Sequence, residues 1–239
     1  MPISIFVSAW YRDGSSVLGS APSRRVDEGE TLRIGIVSDI HGNVDGLSAA
    51  LDLMGDVDEL LCAGDIVEEF RFSNETVALL RDRGARCVLG NHDLGLLGHH
   101  GARARAAAHV DHDLVAWLAS QPLTQDVTVS GKRLLMTHAS PCPPHTQYVT
   151  PHSPELRRIA EVPADYVIIG HTHVQMAVRV GRALVVNPGS AGQARDPGNG
   201  KRLSFAVLDT VADAVTIHDY DRAQHTVPVA PTSHTGAAA

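Results

Sequence analysis

The stretch from Leu32 to Asp65, "LRIGIVSDIHGNVDGLSAALDLMGDVDELLCAGD", decides the fold. It opens with an apolar run that closes on Ser38-Asp39, the pattern of a buried strand. Val44, Leu47, Ala50, Leu51 and Met54 then recur at helical spacing. "VDELLCAGD" reads as a second strand, ending on Asp65. Working outward, "SNETVALLRDRG" (73–84) is a capped helix closed by Gly84, and "ARCVLGNHD" (85–93) is a third strand. A β-α-β-α-β order of this kind implies a parallel sheet with helical crossovers.

From Leu94 to Pro122 the pattern is helical through "ARARAAAHVDHDLVAWLASQP", long enough for a cap or a sheet-covering helix. After Pro122 the chain changes character. "QDVTVSGKRLLMTH" reads as two strands around Ser130-Gly131, "ADYVIIGHTH" as a strand ending in histidines, and "VQMAVRVGRALVVNPGS" as a hairpin turning at Gly181. "RLSFAVLDT" and "DAVTIHDY" add a last hairpin. The order fits an α/β, four-layer αββα sandwich of two mixed sheets flanked by helices. The expected organisation is a flexible N-terminal extension (1–31), rich in Ser, Gly, Pro and charge over residues 11–31, within which Ile3 to Trp10 could form an extra strand. A main folded domain (32–220) and a polar C-terminal tail (221–239) follow.

The chain has 239 residues, 44% of them apolar, and no run approaching a membrane span. Lys plus Arg is 20 against 27 for Asp plus Glu, a formal charge of -7, so no global basic field exists to hold a polyanion. Dedicated nucleic-acid binding is therefore not expected. Three sparse cysteines, of which Cys62 and Cys87 fall in strand-like runs, favour a reducing compartment. "MPISIFVSAW" lacks a basic n-region, and a cytoplasmic location is expected.

The strands share the chemistry of their ends. The first carries Asp39 and His41 in "SDIHGN", the second Asp65, the third Asn91, His92 and Asp93 in "GNHD". Later strands carry His138 in "MTHAS" and the pair His171 and His173 in "GHTH". Ligands gather at the carboxyl ends of parallel strands, so these groups should converge. Carboxylate, imidazole and amide donors without thiolates suit divalent Mn, Fe or Zn, and there are enough donors for two ions, with Asp65 as the bridge between them.

Asp-x-His, Gly-Asp, Gly-Asn-His-Asp, a lone histidine after a strand and Gly-His-Thr-His, in this order, resemble the motif series of the calcineurin-like metallophosphoesterases. The resemblance covers roughly residues 32 to 210 and, through "NPGSAGQARD", is similar to the branch of small bacterial phosphodiesterases and diadenosine tetraphosphatase relatives. It implies one metal on Asp39, His41, Asp65 and His173, and a second on Asp65, Asn91, His138 and His171. It gives His92 the catalytic role, and it places the Asn187-Pro188-Gly189-Ser190 turn near the metals. The implied reaction is attack of a metal-bridging hydroxide on a phosphodiester or small nucleotide-type phosphoester. A phosphomonoesterase or nucleotide pyrophosphohydrolase would use the same site; a non-catalytic scaffold of this fold would be expected to lose ligands that this chain keeps.

Two departures stand out. Ala139 follows the lone histidine where relatives carry glycine, and Ile66 to Phe72 replaces a glycine-rich stretch. Within it, Glu68 either orients His92 or sits exposed at a helix start. Candidates for substrate contact are His99 and His100, after the "GNHD" loop, and Arg195, whose guanidinium could grip two phosphate oxygens. Arg103 and Arg105 read as surface charge.

Overall fold

A computed structural model of the chain describes residues 32–221. The extension and nearly all of the tail, including the strand considered for Ile3 to Trp10, lie outside the described residues. The order is β1 (Arg33–Val37), α1 (Val44–Met54), β2 (Glu59–Cys62), α2 (Asn74–Asp82), β3 (Arg86–Cys87), α3 (Asn91–Leu97), α4 (Ala102–Arg105) and α5 (His112–Ala119). There follow β4 (Thr124–Val129), β5 (Lys132–Thr137), α6 (Leu156–Ile159), β6 (Tyr166–Ile168), β7 (Met176–Val180), β8 (Ala183–Asn187), β9 (Leu203–Asp209) and β10 (Ala214–Tyr220).

Two five-stranded mixed sheets form, ordered β10-β9-β1-β2-β3 and β4-β5-β6-β8-β7. In the first, β1, β2 and β3 are parallel, while β9 runs antiparallel to β1. In the second, β5, β6 and β8 are parallel, and β4 and β7 are antiparallel edges. The αββα sandwich is thus observed, and strand alternation explains it. Ile34 and Ile36 of β1, Leu61 of β2, Leu134 and Met136 of β5, Tyr166 and Ile168 of β6 and Leu184 and Val186 of β8 meet in one core between the sheets. The intervening residues turn outward: Val37 and Cys62 join Leu47, Leu51, Val77, Leu80, Leu114 and Leu118 of the helices, while Val167 and Val185 join Ile159 and Val149. Strands buried on both faces are apolar throughout, which is why they read as runs and not as alternation. Each fully buried Ile or Leu contributes about 1.5–3 kcal/mol.

Local chemistry sets the ends. Asn43 and Ser73 cap α1 and α2 by accepting from the amides of Gly46 and Thr76. Ser130 and Gly131 both take positive φ, the geometry of a two-residue hairpin turn. The helical stretch expected over 94–122 is interrupted between α4 and α5. There, Asn74 on α2 donates to the His109 carbonyl at 2.6 Å and accepts from the Asp111 amide at 2.9 Å, drawing the chain out of helical geometry. Asp111 then caps α5. Arg105, read as surface charge, instead donates to the carbonyls of Leu96 and Gly98 and ties down the end of α3.

Candidate metal centre

The carboxyl ends of β1, β2, β3, β5 and β6 face one another across the top of the sandwich, and the chemistry-bearing side chains follow. Asp39, His41 and His173 offer ligand atoms within 4.8 Å of one another; so do His41, Asp65 and His92, and so do Asp65, His138 and His171. His41 Nε2 lies 3.2 Å from His173 Nε2, and Asp39 Oδ1 lies 3.3 Å from the same His173 nitrogen. Asp65 Oδ2 stands between the two sides, 3.7 Å from His41 Nε2 and 3.2 Å from His138 Nε2. Asn91 Oδ1 is 3.2 Å from His138 Nε2.

Backbone geometry aims these groups. Asp39, His41, Asp65, His171 and His173 all have φ between 51° and 70°. Left-handed conformations of non-glycine residues cost about 1–3 kcal/mol each and persist only where the surroundings impose them. Here the loops bond to each other: Asp39 N–H to the Gly64 carbonyl, His41 N–H to the Asp65 carbonyl, and Gly170 N–H to the His138 carbonyl. Two glycines permit the close approach. A Cβ on Gly90 would lie 2.8 Å from Asp65 Cγ, and one on Gly170 would lie 2.7 Å from Asp39 Oδ2.

Hydrogen bonds also fix which ring nitrogen faces the site. His138 Nδ1 donates to the Ala63 carbonyl at 2.7 Å and His173 Nδ1 to the Gln193 carbonyl at 3.1 Å, which turns both Nε2 atoms inward. Asp39 Oδ2 accepts from Ser38 Oγ and the His171 amide, while its buried Oδ1 has no partner. A buried carboxylate oxygen without a hydrogen-bond donor is satisfied by a cation. The carboxylate, imidazole and amide donors therefore fit metal ions, with the ring nitrogens that would bind them turned inward.

The charges respond to this crowding. Burial lowers His41 to about 3, with His173, His92 and Arg195 adding to the effect and Asp65 opposing it. Burial likewise lowers His171 and His173 to about 4. For His138 burial acts downward too, but the carboxylates of Asp65 and Asp39 outweigh it and raise the ring to about 10. Asp65 is held well below the usual carboxylate range: burial alone would raise it, and His138 prevails. Burial raises Asp39 to about 7.

His92 stands at the rim, half-buried, its ring edge-on to His41 at 4.7 Å. Its amide donates to Asp65 Oδ1 at 2.8 Å. No helix begins at Glu68, which sits in a short bridge with Arg71 and so is not a helix-start residue. Its Oε2 is 3.5 Å from His92 Nδ1, its Oε1 is 3.7 Å from His41 Nδ1, and Gln193 Nε2 donates to it at 2.6 Å. Arg195 is exposed but near enough for its charge to act on His41 and His173. His99 and His100 are exposed beyond α3, their rings 6.0 Å apart, outside all three ligand groups.

Other residues hold the ligand loops in place, and of these Gln193 carries no sequence signal of its own. Gln193 serves His173 and Glu68 together. Asp93 accepts from the amides of Gly90, Ile66 and Val67, pinning the Asp65 loop to the His92 loop; its position three residues into a helix after Gly90 was the available clue. Ser190 donates to the Asp39 carbonyl, and Asn187 to the Gly170 carbonyl, so the "NPGS" turn braces two ligand loops.

Comparison with known proteins agrees with this architecture. The chain is 29% identical over 206 residues to the uncharacterized protein MJ0912 of Methanocaldococcus jannaschii, covering 74% of this chain and 82% of that one. It is 35% identical over 142 residues to a symmetrical bis(5'-nucleosyl)-tetraphosphatase of Paracidovorax citrulli, covering 52% of this chain and 49% of the relative, so it spans about half of that enzyme's length. A crystal structure of a metallophosphoesterase from Sphaerobacter thermophilus superposes with a TM-score of 0.65 at 26% identity, covering 81% of this chain and 90% of that one. Residues 32–213 match the calcineurin-like phosphoesterase superfamily domain. The chain belongs to that superfamily, a family of metal-dependent phosphoric ester hydrolases.

Proposed function

We propose that this centre holds two divalent ions and hydrolyses a phosphodiester or a small nucleotide-type phosphoester. One ion would be held by Asp39, His41, Asp65 and His173, the other by Asp65, Asn91, His138 and His171. The observation that carries this reading is the position of Asp65 Oδ2 between His41 Nε2 and His138 Nε2, while Oδ1 is engaged by the His92 amide. Mn, Fe or Zn bound there would supply Lewis acidity to the phosphoryl oxygens and make water a stronger nucleophile.

The chain's own groups do the rest. With Nδ1 turned toward Glu68, the His92 ring presents its other nitrogen to the phosphoryl group, where it delivers a proton to the departing oxygen. Arg195 grips a phosphate oxygen at the His41 and His173 side. A nucleotide-type substrate is supported by the tetraphosphatase relatives and by a net charge of -7, which disfavours long polyanions.

The test is hydrolysis of a chromogenic phosphodiester and its matching monoester after chelation and restoration with Mn²⁺, Fe²⁺, Zn²⁺ or Mg²⁺. Metal-dependent turnover of either is expected, and the ratio separates diesterase from monoesterase. Absence of turnover of both, with two ions per chain present, would refute the reading.

A further inference from the structure

Tyr148 is 66% exposed, yet its ring stacks on His171 with centroids 4.0 Å apart and planes inclined by 25°. His171 in turn meets the His138 ring edge-on at 5.0 Å. One face of the tyrosine is thus taken by a residue of the metal centre and the other is open to solvent. Among the described residues few large apolar side chains are exposed, and this one borders the candidate site.

The loop that presents Tyr148 is held on both sides. Val149 is buried at 2% exposure in the outer core of the second sheet. Gln147, with its amide turned to donate, lies 2.8 Å from both oxygens of the buried Glu155, which also accepts from Ser140 Oγ and Arg158. The His145 amide closes a turn onto the Cys142 carbonyl. A ring fixed in this way loses little conformational freedom when a second planar group stacks on it.

We propose that Tyr148 is a stacking platform for the base of a nucleotide whose phosphate occupies the metal centre; this rests on, and narrows, the substrate class of the preceding reading. An aromatic face accepts any base, so the platform selects for a base without choosing among bases.

The test is calorimetric binding of adenosine 5'-monophosphate and ribose 5-phosphate to the Mn²⁺-loaded protein and to its Tyr148→Leu and Tyr148→Phe variants. Both ligands carry the same phosphate and only the first carries a base. The expected result is a preference for the nucleotide of about tenfold, kept by Tyr148→Phe and erased by Tyr148→Leu through weaker nucleotide binding alone. The proposal is overturned if the protein binds the two ligands equally or binds neither. It is also overturned if Tyr148→Leu weakens both by one factor, the mark of a ring that only supports His171. Binding needs no turnover, so a failure of hydrolysis would count against the reaction and leave this result to stand by itself.

Discussion

His41 Nε2 and His173 Nε2 lie 3.2 Å apart inside the protein, and His173 Nδ1 is already committed as a donor to the Gln193 carbonyl. Burial keeps both rings neutral at pH 7. The neutral His173 ring therefore turns its lone pair toward His41 Nε2, while Asp39 Oδ1, 3.3 Å from the same His173 nitrogen, has no hydrogen-bond donor. A pocket of this kind is prepared for a cation before one arrives, which sets the terms of what can be measured.

Metal loading at pH 7 should release about one to two protons per centre, because ligands bind deprotonated. His138, raised to about 10, must lose a proton, and Asp39, raised to about 7, loses part of one. His41, His171 and His173 release none. Apparent affinity should therefore rise with pH as His138 and Asp39 give up protons more readily. Calorimetry in buffers of different ionisation enthalpy reads the proton count, and zero release would contradict the charge state assigned to His138.

Asp65→Ala should empty both positions, because its Oδ2 faces His41 and His138 together. The loss of affinity should exceed the ~10–100-fold that a supporting residue carries. Two ions retained per chain by mass spectrometric metal analysis would remove Asp65 from the bridging role.

Gly170→Ala should weaken metal binding by ~10–100-fold without unfolding the domain. The added methyl would collide with Ser38 Oγ and press on Asp39 Oδ2, turning that carboxylate away from His173. Unchanged metal affinity in a folded variant would mean that the loop yields at no cost to Asp39.

His92→Ala should cut turnover by ~10²–10⁴ with both ions retained, the loss typical of a positioned acid. Glu68→Gln should cost less, about tenfold, because it acts only through the orientation of His92 and His41. Rates of the two variants that match each other would mean that Glu68, and not the imidazole alone, carries the proton chemistry.

Ile36→Ala should destabilise the domain by about 2–5 kcal/mol in chemical denaturation. Ile36 is fully buried between the sheets, on the strand that leads to Asp39. A change below about 1 kcal/mol would show that the core between the sheets relaxes around the lost volume.

The β-α-β-α-β opening, the hairpins at Ser130-Gly131 and Gly181 and the sandwich itself were legible because burial on two faces writes continuous apolar runs, and turns write glycine. Periodicity could not show the break between α4 and α5. Asn74, distant in sequence, makes that break by bonding to His109 and Asp111. Glu68 was ambiguous for the same reason, since its neighbours His41, His92 and Gln193 come from three other loops.

By itself, then, the sequence determined the strands, their order and the residue types at their ends, since these depend on local pattern and on side-chain chemistry. Only the tertiary structure decided which ring nitrogens of His138 and His173 face the site, which carboxylate oxygen stands between the two sides, and that Tyr148 lies against His171. Those are distances between residues far apart along the chain, and they exist only once two sheets pack face to face and bring their loops to one edge.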